Sequence, residues 1–183
     1  MKVGVIVGRF QVPMLHEGHY RLIEHAMNNY DRVIIFIGDT ISKKLTLHDP
    51  LPYEARKSMI AEVWPNAIIG KIVDVGNWEK WVKNLDTLIE CACIFEHIEN
   101  PEIYICGSRD SVVDRYKESG GKYEIDVFKE FVGFQGTRIS GTDERRKILE
   151  TYKPCWNIDQ RNLAIWINSW NNDNDDNDNS SRV

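Results

Sequence analysis

The sequence predicts an α/β protein: a Rossmann-like, doubly wound parallel sheet of about five strands, with helices on both faces and a C-terminal helical extension. Three observations lead there. Short β-branched runs alternate with stretches of helical periodicity. The runs are apolar almost throughout, as strands covered on both faces must be. A polar connection carrying Gly and two His follows the first run, at the carboxyl end of a strand, where such sheets bind ligands.

Strands are expected over 3–7, 32–37, 67–73, 102–106 and 123–128, all rich in Val and Ile. Helices are expected over 20–29, 53–63, 78–96 and 111–118, where apolar residues recur at helical spacing. Near the end, Ser140 is followed three residues later by Asp143, a variant of the capping box that starts a helix at Gly141. A last helix over 158–170 carries Leu163, Ile165, Trp166, Ile167 and Trp170. The Asn/Asp segment 171–183 lacks anything to bury and is expected to be a disordered tail behind a single domain, 1–170.

Charge narrows the partners. The net charge is −5, but the last 13 residues hold four Asp against one Arg, so residues 1–170 carry −2. Neither value suits a protein that coats nucleic acid or an anionic membrane. The apolar start is too short for a signal peptide, and no stretch is long enough to span a bilayer, so a cytoplasmic protein is expected. Cys91, Cys93, Cys106 and Cys155 form no C-x-x-C pair and read as buried, reduced thiols in helix and strand interiors.

The first connection, "GRFQVPMLHEGHYRLI", invites an anion. A helix N-terminus offers unpaired N–H groups and positive potential, His16 and His19 add donors of adjustable charge, and Gly18 lets a phosphate approach the backbone. "HEGH" lacks the H-E-x-x-H spacing for zinc, and the loop lacks both G-x-G-x-x-G and the P-loop pattern.

"GRFQ", then Pro and "HEGH", with "ISGTDERR" near the end, resembles the nucleotidyltransferase superfamily, whose signatures are H-x-G-H and I-S-x-T-x-x-R. Arg-Phe-Gln and Ser-Gly-Thr are most similar to the nicotinamide mononucleotide adenylyltransferases of the archaeal and bifunctional bacterial type. "LTLHDPLPYEARKSMI" and "ICGSRDSVVDRY" resemble two further segments of that family, so the likeness covers about residues 1–150. The sequence departs from it in a loop between Gln11 and His16 that is two residues longer than usual, and in lacking the Nudix domain of the bifunctional relatives, so hydrolase activity is not expected.

The resemblance implies attack by a mononucleotide phosphate on the α-phosphorus of ATP, releasing pyrophosphate, with Mg²⁺ accompanying ATP. The nucleophile is already anionic, so the site must align two polyanions and neutralise moving charge. Carried over from the motifs, His16, His19 and Arg145 are the catalytic residues. Gly8, Arg9, Phe10, Gln11, Gly18, Gly107, Asp110, Ser140, Gly141 and Thr142 are the ATP-binding set. Arg56, Asn77 and Trp81 are assigned to the mononucleotide, Trp81 as a face on which nicotinamide stacks. Read without the resemblance, Arg56 is equally a surface helix arginine and Asp110 equally a helix cap, while Trp78 with Trp81 is alternatively the apolar stripe of a helix. The alternatives are a transferase for another phosphorylated substrate, including a cytidylyltransferase, and a nucleotide-binding regulator without turnover. The sequence leaves the oligomeric state open, a homo-oligomer included, as it does the choice between nicotinamide and nicotinic acid forms.

Overall fold

Lys2–Gly8 forms the first strand, β1, and its residues explain its central place. Val3 and Val5 point to one face and Ile6 to the other, all fully buried, so both faces need cover. The computed structural model describes residues 1–41, 49–107 and 111–128. Within them the order is β1, α1 (Glu17–Asn29), β2 (Arg32–Asp39), α2 (Tyr53–Val63), β3 (Ile68–Val73), α3 (Trp78–Phe95), β4 (Glu102–Gly107), α4 (Ser111–Glu118) and β5 (Glu124–Val127).

The five strands lie in the order β3-β2-β1-β4-β5, and all four pairings are parallel. The chain winds outward from β1 to β3, then returns to place β4 on the other side of β1. The switch point of this doubly wound sheet therefore lies between β1 and β4. Alternation along the strands sorts the core into two layers. Val3, Val5, Ile34 and Phe36 pack against α3 and α4 through Trp81, Leu85, Ile89 and Tyr116. Ile6, Val33, Ile35 and Ile37 pack against α1 and α2 through Ile23, Ala26, Met59 and Ile60. Each such isoleucine, fully buried, contributes roughly 1.5–3 kcal/mol relative to exposure.

The predicted α2 and α4 have the observed bounds, and the other elements differ at their ends. Helix α1 begins at Glu17 rather than 20, because the His16 side chain caps it. Strand β2 runs on to Asp39 and β4 to Gly107, carried past their apolar runs by continued pairing with β3 and β5. Cys93 and Cys106 are buried as expected, whereas Cys91 is exposed. The buried stripe of α3 passes through Leu85, Ile89 and Cys93, and residue 91, two positions from both 89 and 93, faces the opposite way. No helix among the described residues is long and apolar enough to cross a membrane. The expected helices after 140, Cys155 and the tail lie outside the described residues.

Candidate functional site

Beyond β1 the chain makes a tight excursion before α1. Phe10 adopts a left-handed conformation with φ of 51°, uncommon for a residue with a Cβ, and its buried ring folds back over Gly8. A Cβ on Gly8 would stand 2.9 Å from that ring, which is why glycine ends the strand. The same ring lies 4.9 Å, centroid to centroid, from His19. His16, the residue before α1, accepts a hydrogen bond on Nδ1 from the His19 N–H at 3.3 Å. The two imidazoles stack at 3.6 Å with 17° between their planes.

This places two imidazoles over the first turn of α1, where the N–H groups of Glu17 and Gly18 have no intrahelical acceptor. Nδ1 of His19 is buried without a hydrogen-bond partner among the described residues. Burial first, and the neighbouring His16 second, hold the His19 imidazole well below its ordinary pKa. The pair thus rests with at least one neutral ring and gains from an incoming anion, which supplies the missing partner and favours the charged form.

Arg9 leaves the same connection towards the ends of β2 and β3. Its guanidinium donates to Asp49 and to Asp74, each at 3.0 Å, while half of the side chain remains exposed. It borders a cleft of about 500 Å³ at the carboxyl ends of β1, β2 and β3. Gly8 and Arg9 at the end of β1, Gly38 and Asp39 of β2, Asp74 after β3, and Asn77, Trp78 and Trp81 at the α3 start line it. The two indoles meet edge to face, 5.5 Å apart, and Asn77 caps α3 by accepting from the Lys80 N–H at 2.9 Å. Such a hollow offers indoles to a flat ring and a guanidinium to an anion.

Residues 5–155 match the model of the cytidylyltransferase-like family. The chain belongs to that family. Among relatives of this cytidylyltransferase-like chain is the nicotinamide-nucleotide adenylyltransferase of Pyrococcus furiosus, 25% identical over 177 residues, covering 91% of this chain and 83% of the relative. The enzyme of the same name from Haloarcula marismortui is 24% identical over 151 residues, covering 80% and 71%. A bifunctional NMN adenylyltransferase/ADP ribose pyrophosphatase of Francisella tularensis, solved with AMP and a Mn ion, shares the fold with a TM-score of 0.60 and 24% identity. That match covers 82% of this chain and 42% of the solved one, so the chain spans less than half the length of that protein. The nucleotidyltransferase resemblance and the Rossmann-like fold read from the sequence are both borne out.

Within the cytidylyltransferase-like fold, the expected site residues fall into groups. Gly8, Arg9, Asn77 and Trp81 line the cleft. Phe10, His16, Gly18 and His19 gather at the start of α1, with Gly18 buried in its first turn. Gly107 ends β4, and a Cβ there would stand 2.1 Å from Val113, so the close approach of α4 requires glycine. Gln11 is buried, and its amide both donates to Leu51 O at 3.2 Å and accepts from Leu51 N–H at 2.9 Å. Arg56 is fully buried, which corrects its reading as a surface helix arginine; its guanidinium binds backbone carbonyls and Asp39 rather than water. Asp110, Ser140, Gly141, Thr142 and Arg145 lie outside the described residues.

Sequence reading missed Asp39, Asp49 and Asp74. Asp39 accepts from Arg56 at 2.8 Å and pairs with Lys71. Burial alone would raise the Asp39 pKa, but Lys71 and Arg56 outweigh it and hold the carboxyl below its ordinary value. The available signal was positional: Asp39 and Asp74 directly follow the apolar runs of β2 and β3 and so stand at the carboxyl edge of the sheet.

Proposed function

We propose that this chain transfers AMP from ATP to nicotinamide mononucleotide, giving NAD and pyrophosphate. The observation that carries the reading is one cleft lined by both Arg9 and the indoles of Trp78 and Trp81, with a helix N-terminus bearing two imidazoles following the same β1 exit. The names of the relatives from Pyrococcus furiosus and Haloarcula marismortui point the same way. In this reading the nicotinamide ring stacks on Trp81, and Arg9 exchanges one of its carboxylate partners for a phosphate. His16 and His19 meet the ATP phosphates at the start of α1 and stabilise the charge that builds as pyrophosphate leaves. Ser140, Gly141, Thr142 and Arg145 hold the remaining phosphate oxygens, as their motif implies.

Among the described residues, no three His, Cys, Asp or Glu side chains converge into a cage that would hold a metal by themselves. Mg²⁺ accompanying ATP would supply charge that offsets the phosphate oxygens, while His16, His19 and Arg9 hold and orient the phosphates. We place the reaction in the cytoplasm, where Cys91, Cys93 and Cys106 stay as free thiols.

The test is NAD formation from ATP, Mg²⁺ and nicotinamide mononucleotide, read by a coupled alcohol dehydrogenase assay, beside nicotinic acid mononucleotide and a panel of CTP with phosphorylated alcohols. NAD as the dominant product supports the reading. Turnover confined to CTP reassigns the chain to cytidylyl transfer, and nucleotide binding without turnover reassigns it to a regulator.

A further inference from the structure

We infer that Arg56 is a positioning residue: it touches no substrate, and it holds the backbone from which Arg9 reaches into the cleft. The inference rests on the transferase reading above for what Arg9 meets there.

Arg56 sits in the first turn of α2, and its side chain is the largest of those fully buried among the described residues. A buried guanidinium is stable only if its donors are used and its charge is matched. Here one terminal nitrogen donates to Arg9 O at 2.8 Å and to Gly38 O at 2.6 Å, and the other to Asp39 Oδ1 at 2.8 Å. One planar fork thereby joins α2, the exit of β1 and the exit of β2.

The identity of those partners gives the bond set its functional meaning. Arg9, Gly38 and Asp39 all line the cleft, while Arg56 does not. The Arg9 side chain passes over Gly38, its Cγ 3.5 Å from where a Cβ on that glycine would stand. Beyond Gly38 the Arg9 guanidinium is held by Asp49 and Asp74. Arg56 thus fixes the root of the Arg9 side chain, and two carboxylates fix its tip. Arg56 is fully buried and its guanidinium is engaged by Arg9 O, Gly38 O and Asp39, so in this proposal it serves the mononucleotide through Arg9 rather than by direct contact. Lysine in its place keeps the charge but offers a single nitrogen where the planar fork meets its partners with two.

A double-mutant cycle on the full chain tests this, with Arg56→Lys, Arg9→Ala and the pair compared with the parent. Melting temperatures are measured for all four, and kinetics are run where each is folded. Arg56→Lys is expected to lower kcat/KM on the order of a hundredfold, the scale of a misplaced binding group. In the Arg9→Ala background it should add less than about twofold, because the residue it acts through is gone. A similar hundredfold loss in both backgrounds overturns the inference, since Arg56 then acts on substrate directly or on the fold alone. Parental kcat/KM in Arg56→Lys overturns it equally. If Arg56→Lys does not fold, Asp39→Asn loosens the same guanidinium and replaces it in the cycle. The cycle is repeated on ATP and mononucleotide affinities by calorimetry. Coupling in affinity without any transfer by the parent overturns the transferase reading and supports this one; transfer without coupling does the reverse, and a parent that binds neither nucleotide overturns both.

Discussion

At His19, burial and charge act in the same direction. The buried ring and the stacked His16 both disfavour the imidazolium, so the folded-state pKa lies below the ordinary value of 6.5. The unfolded chain takes up this proton near pH 6.5, and the folded chain only further into acid. Between the two values the unfolded state binds more protons, so His19 removes stability as pH falls and has no effect above about pH 7. The melting temperature of the parent is expected to drop between pH 7 and 5 more steeply than that of His19→Gln, which cannot titrate. Parallel slopes would assign the acid sensitivity to other groups. On the reaction itself, a donor aimed at developing charge acts mainly in the transition state. His19→Ala is therefore expected to lower kcat on the order of a hundred- to a thousandfold, with a smaller change in the KM for ATP. Unchanged turnover in the folded variant would remove His19 from the mechanism.

The start of α3 is the element on which core and cleft overlap. Trp81 is only 9% exposed and packs with the Leu85 and Ile89 layer, yet it also lines the cleft. The helical-stripe reading therefore holds for Trp81, and the proposed stacking would use the same side chain. An alanine there would confound them, because it empties the core as it removes the ring. Trp81→Phe keeps an aromatic face and weakens the cation–π contact to a pyridinium by about 0.5–1 kcal/mol, a rise of roughly two- to fivefold in the mononucleotide KM. The KM for ATP should stay at the parental value. Equal rises for both substrates would show that Trp81 shapes the cleft as a whole.

Across the whole molecule, composition alone sets a terminal segment apart from the rest of the chain. Residues 171–183 are almost entirely Asn, Asp and Ser, with no apolar residue before the final Val183. Such a segment has nothing to repay the entropy of ordering. Removing it is expected to leave both the melting temperature and NAD formation within experimental error of the parent. A substantial loss of either would show that the tail docks on the body or joins subunits.

The sequence by itself determined the elements, because a strand covered on both faces and an amphipathic helix each write a short-range period into the chain. The apolar runs from Val3, Arg32 and Glu102 and the helical spacing of Tyr53–Val63 were legible for that reason. So was the histidine pair, since His16 and His19 belong to one turn and His16 caps the helix. Tertiary structure alone decided which polar residues line the cleft and which are buried against the protein. Arg56 meets carbonyls 47 and 18 residues away, Gln11 meets Leu51 across 40 residues, and Arg9 finds Asp49 and Asp74 across 40 and 65. Nothing local distinguishes an arginine that will be buried against such partners from one that stays in water. The difference arises only when parallel pairing brings the ends of β1, β2 and β3 together and desolvates what lies between them.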